Sequence, residues 1–244
     1  MNNKLLKKIC GIFGYRLIDK KAFKNNRIIA QNSSLKIKNL LKFYFEKNKI
    51  NNIVQIGAND GVSFDELNYF IKKYKVKSLL VEPILENFNL LKKNYENQKF
   101  ITFENSAISV NNEISHLYKV DQKHIQKYDS HIPAIPSFNI KHLIDHGVKK
   151  KHITKDAVNS ISIKDLLEKY NITELDLLYL DAEGYDGKIV YDFLSNIKMR
   201  PFIVFEYLHI ENELLKKITF KLLQNKYLYF QIEENIFCLP KEKY

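Results

Sequence analysis

The chain has 244 residues, 45% hydrophobic and 27% charged, which supports one large globular core and excludes wholesale disorder. Seven glycines, five prolines and two cysteines, Cys10 and Cys238, exclude collagen-like, low-complexity and disulfide-framework classes, and no apolar run approaches the roughly 18 residues of a membrane span. The net charge of +11 lies wholly in residues 1–50, with 13 Lys/Arg against 2 Asp/Glu, whereas residues 51–244 hold 26 of each sign.

The first expected element is a helix over 4–13. It places Leu5, Leu6, Ile9, Cys10, Ile12 and Phe13 on one face, with Lys4, Lys7 and Lys8 toward the other and Gly14 as its stop. Its apolar run is too broken for a signal peptide. Such a helix either packs on the body or lies on an anionic membrane surface. A second helix is expected over 35–48, capped by Asn32, Ser33 or Ser34. Residues 1–50 thus read as a basic helical arm and 51–244 as the main domain.

From residue 53 the pattern changes. IVQIGA (53–58) reads as a buried strand, and Ser63-Phe64-Asp65-Glu66 as a capping box opening a helix to Tyr74. A strand over 78–83, a helix over 85–95 and a strand over 100–108 follow. A long irregular stretch, 109–160, contains a short strand at 114–120. Beyond that strand come Pro133, Pro136 and five of the seven histidines. Loops of this length are lids or binding loops, or else disordered, and this one reads as an acceptor-side insertion. A strand over 176–183, a helix over 186–197, a strand over 201–209 and a helix over 211–225 come next. Segments 227–233 and 236–240 form a terminal hairpin. This alternation implies a mostly parallel, three-layer α/β sheet closed by an antiparallel pair.

Open sheets of this kind bind ligands at the carboxyl ends of their strands. Those ends carry Gly57-Ala58-Asn59-Asp60-Gly61, Glu82-Pro83, Glu104-Asn105-Ser106, Asp181-Ala182-Glu183-Gly184, and Glu206 with His209. Every one delivers a carboxylate and none a Lys or Arg. Such a crevice suits a cationic ligand or a metal ion and opposes a pyrophosphate. The glycine spacing is G-x-x-x-G, not the G-x-G-x-x-G of a dinucleotide site. S-adenosylmethionine, with a sulfonium, an amino group and no phosphate, fits better. Its methionine part needs small turn residues, which Gly57, Asn59 and Gly61 supply. Its ribose needs an acceptor at the end of the second strand, which Glu82 supplies.

VQIGANDG, VEP, ENSAIS, LLYLDAEGYDGKIV and VFEYLH, in this order, resemble the FkbM family of S-adenosylmethionine-dependent methyltransferases over about residues 52–240. The resemblance implies a Rossmann-like class I methyltransferase fold with a mostly parallel seven-stranded sheet, a C-terminal antiparallel hairpin and, ahead of it, the helical arm. It implies S-adenosyl-L-methionine as cofactor, bound by Gly57, Asn59, Asp60, Gly61, Glu82, Pro83, Asn105, Ser106, Ala107 and Asp181. Asp181, Glu183 and Gly184 would stand between cofactor and acceptor. Known members are mostly O-methyltransferases of sugars and related natural products. The family commonly opens its first motif with an acid, where this chain has Gln55.

A sugar hydroxyl is a poor nucleophile, so a base is required. Asp181, Glu183, Glu206 and His209 are the candidates. A divalent cation at this cluster is allowed by the spacing but not required. His142 and His146 have i,i+4 ligand spacing with no third ligand in sight, so a solvated helix face is expected. His124, His131 and His152 read as loop residues. Phe138 and Tyr128 either cover an acceptor or pin the loop. Cys238 reads as core, and Cys10 as packed or lipidated. The expected partner is a small-molecule or glycan acceptor. The expected place is the cytoplasm, with residues 1–30 able to touch the inner membrane face. The neutral body argues against nucleic acid. The competing readings are an RNA or protein methyltransferase using the arm, and a cofactor-binding scaffold without turnover.

Overall fold

In a computed structural model the described residues are 36–110, 115–129, 132 and 135–241. The helix expected over 4–13, its Cys10, the proposed caps at 32–34 and His131 lie outside them. The second expected helix is α1 (Ile37–Lys47), entered through Lys36 without a side-chain cap. Leu41, Tyr44 and Phe45 bury its apolar stripe. The Tyr44 ring packs 4.2 Å from that of Phe202, and its hydroxyl donates to the Asp176 carbonyl. The helix therefore shares the core of the body that follows.

The strands β1 (Asn52–Ile56) and β2 (Lys77–Val81) flank α2 (Asn68–Tyr74), and α3 (Leu85–Asn94) leads to β3 (Ile101–Glu104) and β4 (Ala107–Ile108). Then come β5 (Ser115–Val120), α4 (Ile140–Asp145), β6 (Ile153–Val158), β7 (Ser160–Ile161) and α5 (Ile163–Lys169). The chain ends with β8 (Leu177–Leu180), α6 (Asp186–Asn196), β9 (Phe202–Glu206), α7 (Asn212–Gln224), β10 (Tyr227–Ile232) and β11 (Asn235–Pro240). Seven strands form one sheet in the order β10-β11-β9-β8-β1-β2-β3. All neighbours are parallel except at β11, which runs antiparallel to both β9 and β10. The central strands are near-continuous apolar runs because helices cover both faces. One face buries Leu166, Phe193 and Leu222 of α5, α6 and α7. The other buries Leu41, Phe70 and Leu91 of α1, α2 and α3.

Three sequence expectations change. The capping box at Ser63 does not form, and the helix begins at Asn68 instead. Asp65 Oδ1 accepts from the backbone N–H groups of Leu67 and Asn68, while Asp60 takes the N–H groups of Val62 and Ser63. Phe64 has φ 58°, which no helix interior tolerates. The strand expected over 100–108 breaks at Asn105-Ser106, and β4 leaves the sheet to pair with β7. The stretch 109–160 is not structureless. β5 pairs antiparallel with β6 over its whole length, and Val120, Ile132, Leu143 and Val148 form a small core of their own. Lys119 ties this unit to the body, reaching Asp156 at 2.5 Å and Glu86 of α3 at 3.2 Å. Among the described residues no helix is long and apolar enough to cross a membrane.

Candidate active site

Strand order reverses between β1 and β8, because β2 and β3 extend one way and β9 the other. A cleft opens there at the carboxyl ends of β1, β2 and β8, enclosing about 980 Å³ when its open mouth is counted. Its lining holds five acids, Asp65, Glu66, Glu82, Asp181 and Glu183, and no Lys or Arg among the described residues.

The floor of the cleft is set by close backbone approach. Gly57 has φ 81°, and a Cβ there would sit 1.8 Å from the Asp181 carbonyl oxygen. Its N–H and that of Ala58 both donate to the Val81 carbonyl, and Asp181 N–H donates to Ile56. The glycine thus lets three strand ends meet. Gly61 serves packing: a Cβ there would meet Leu91 and Tyr95 at 2.5 and 2.6 Å.

Glu82 is buried and accepts one backbone N–H on each carboxylate oxygen, from Asn59 at 2.9 Å and Ile84 at 2.8 Å. Burial, outweighing those bonds and aided by Asp181 and Asp60, pushes its pKa up to about 7. Each oxygen keeps a second lone pair for a hydroxyl donor. Asn105 does not line the cleft. Its side-chain amide donates to the carbonyls of Glu82 and Pro83 and so holds that turn in place.

Of the other residues expected around a cofactor, Gly57, Asn59, Pro83, Ser106, Ala107 and Asp181 line the cleft, whereas Asp60 and Gly61 do not. Asp60 is occupied within its own turn, where the Ser63 hydroxyl also donates to it at 2.7 Å. Glu104 is not part of the open anionic edge either. It is buried and bonded to Ser106 Oγ at 2.5 Å, Lys169 Nζ at 2.6 Å and the Tyr170 hydroxyl at 2.7 Å. The strand ends themselves deliver no Lys or Arg, but Lys169 at the end of α5 reaches Glu104 there.

Pattern reading does not single out Asp65 as a ligand residue. Its Oδ1 accepts from the Gln55 side-chain amide at 3.2 Å. Asp65 Oδ2 and Gln55 Oε1 are both buried without a hydrogen-bond partner, and both residues line the cleft. Burial raises the Asp65 pKa despite its backbone bonds. Asp65, ten residues on in the loop before α2, thus sets a carboxylate beside Gln55. The signal for it is Gln55 itself, an amide where an acid is expected, with an unassigned Asp close behind.

The second group lies at the end of β8. Asp181 and Glu183 line the cleft, and Glu206 and His209 do not. Asp181, Glu183 and Glu206 nonetheless bring one carboxylate oxygen each within 4.8 Å of one another. Glu183 sits at φ 48°, a conformation costly for a residue with a Cβ. Two contacts hold it there. Ser137 Oγ donates to its carbonyl at 2.8 Å, and buried Asp186 accepts the Ala182 N–H at 3.0 Å. Burial, then neighbouring acids, raise the pKa of Asp181 and, further, that of Glu183. The same causes lift Glu206 to about 8 and Asp186 to about 7. Phe138 lines the cleft from the insertion and packs against Tyr185, ring centroids 4.6 Å apart. Tyr128 does not reach it and bonds to His152 Nδ1 at 2.6 Å.

A mostly parallel sheet in this order, with its antiparallel strand inserted second from the edge, is the class I arrangement of S-adenosylmethionine-dependent methyltransferases. The model of the methyltransferase FkbM domain matches residues 55–229, and the chain belongs to that family. No curated protein matches the sequence. Among solved structures, an FkbM methyltransferase from Methylobacillus flagellatus is 14% identical, with a TM-score of 0.47, over 78% of this chain and 44% of that one. The Aeropyrum pernix fibrillarin, solved with S-adenosyl-L-methionine, is 9% identical, with a TM-score of 0.42, over 79% of this chain and 67% of that one. The present chain therefore spans less than half the length of the Methylobacillus protein.

Proposed function

We propose that the cleft binds S-adenosylmethionine and that the protein methylates a hydroxyl, on a sugar of a glycan or glycosylated precursor. The observation that carries this reading is the cleft lining: five acids and no Lys or Arg among the described residues. Two orphaned buried acceptors, Asp65 Oδ2 and Gln55 Oε1, match an ammonium with three donors. Glu82, with an open lone pair on each oxygen, matches the two ribose hydroxyls. The cofactor supplies an electrophilic methyl group on a sulfonium.

The chain's own residues do the rest. Asp65 and Gln55 would hold the amino end, and the Gly57 turn would admit the backbone of the methionine part. Ser106 and Ala107 would flank the base. Asp181, ionised while the more strongly raised Glu183 keeps a proton, would accept the hydroxyl proton as the methyl group departs. Phe138, with Pro136 and Ile135 from the insertion, would exclude water over the acceptor. An acidic rim opposes a polyanionic acceptor and accepts hydrogen bonds from a polyhydroxylated one.

The test is transfer of labelled methyl from S-adenosylmethionine to oligosaccharide fractions, RNA and protein in parallel. Label in the oligosaccharide, lost in Asp181→Asn, is expected. Label in RNA alone would replace this reading with a nucleic-acid one working through the basic residues 1–50. Cofactor binding without transfer to any acceptor class would leave a scaffold.

A further inference from the structure

Next to the cleft, the structure brings His209 to His142 and His146, from which it lies far away in sequence. His142 and His146 sit one turn apart at α4, and His209 follows β9. One ring nitrogen from each lies within 4.8 Å of the other two. The ring of His142 is 4.5 Å from that of His146 and 4.5 Å from that of His209, centroid to centroid. The sequence expectation of a solvated helix face with no third ligand is therefore overturned, because the fold supplies His209.

The surroundings are those of a ligand set. His142 is buried, and its Nε2 has no hydrogen-bond partner. That atom faces Glu183 Oε2 at 3.2 Å. His146 Nδ1 lies 2.9 Å from the His142 carbonyl. A carbonyl only accepts, so Nδ1 carries a proton and leaves Nε2 as the nitrogen that can ligate, the arrangement that orients ligating imidazoles. Glu206 Oε1 stands 3.6 Å from His209 Nε2, a carboxylate beside the ring but beyond hydrogen-bond distance. Three imidazoles turned toward one another repel as cations. Ligands of a tetrahedral ion with bonds of roughly 2.0–2.1 Å stand about 3.3 Å apart. The His142–Glu183 pair already has that spacing, and the histidine nitrogens, within 4.8 Å of one another, need close by at most about 1.5 Å.

We infer that His142, His146, His209 and Glu183 bind one divalent transition-metal ion, zinc foremost among them, which joins the insertion helix α4 to the end of β8. Three imidazoles and one carboxylate favour zinc over magnesium or calcium, which take all-oxygen sites. The ion would fix the insertion over the acceptor side. This inference does not depend on the cofactor assignment.

The experiment is a zinc titration of the full chain, stripped with chelator, followed by calorimetry, with cobalt substitution read by visible absorption. We expect one ion per chain with at least micromolar affinity, the intense d–d bands of a four-coordinate cobalt site, and slowed hydrogen exchange over 140–146. His146→Ala and His209→Ala, both away from the fully buried core, should each weaken zinc binding at least a hundredfold while S-adenosylmethionine affinity stays within threefold. Absence of zinc binding in the stripped protein, octahedral cobalt bands alone, or binding unchanged in both variants would overturn the site. Loss of S-adenosylmethionine binding with zinc binding intact would instead strike the cleft assignment. Fold retention of the variants is checked by their thermal unfolding.

Discussion

At Asp65 one carboxylate serves two ends. Its Oδ1 starts α2 by taking two backbone N–H groups, and its Oδ2 faces the cleft with no hydrogen-bond partner. Asp65→Asn keeps the cap acceptor and removes the charge. Loss of one charge-assisted hydrogen bond, about 1.5–3 kcal/mol, should weaken S-adenosylmethionine binding roughly tenfold to a hundredfold in calorimetry, with unfolding temperature nearly unchanged. The raised acids make a second claim. Glu82 and Asp186 near 7 and Glu206 near 8 hold protons in the folded state that the unfolded chain has already released. Their burial is therefore uncompensated once they ionise, and stability falls as pH rises from 6.5 to 8.5. His142 does not titrate in that window. Differential scanning calorimetry of the free protein should show the melting temperature dropping across it, and saturating cofactor should flatten the drop. A rising melting temperature would contradict the pKa assignments.

At the scale of elements, the glycines separate by what they permit. Gly57→Ala places a methyl into the Asp181 carbonyl and adds left-handed strain, so urea unfolding should show a loss of about 3 kcal/mol or more. Gly147 also has positive φ but no atom within 4 Å of a Cβ, so Gly147→Ala should cost only about 1–2 kcal/mol. The insertion is expected to act on the acceptor alone. Phe138→Ala should lower kcat/KM for the acceptor roughly tenfold while leaving cofactor affinity unchanged, and equal losses in both would place Phe138 in the cofactor site. The sheet was legible because 177–180 is a continuous apolar run ending in an acid, and 53–56 one broken only by Gln55 and ending in glycine. The insertion was not, because β5 and β6 pair across more than thirty intervening residues and neither strand alternates cleanly. The same distance hid His209 from His142 and His146. The local start of α2 was misread because Ser63-x-x-Glu66 fits a capping box, while Asp60 captured the Ser63 N–H and Asp65 capped Leu67 and Asn68 instead.

For the whole molecule, charge is divided by role. The first 50 residues hold the entire excess of +11, and the rest is neutral with an acidic cleft. We propose that residues 1–30 hold the enzyme at an anionic membrane surface, near a lipid-carried or membrane-proximal acceptor. Flotation with phosphatidylserine vesicles should retain the full chain at low salt and release a chain lacking 1–30, which leaves α1 and the body intact. Equal partition of the two would end that proposal. Above all, the cleft must welcome positive charge and reject negative charge. Calorimetric titration with S-adenosylmethionine and with NAD, side by side on the full chain, measures this most directly. Micromolar binding of S-adenosylmethionine, weaker binding of the sulfonium-free S-adenosylhomocysteine and no heat with NAD are expected. Binding of NAD, or of inorganic phosphate in competition with S-adenosylmethionine, would contradict it.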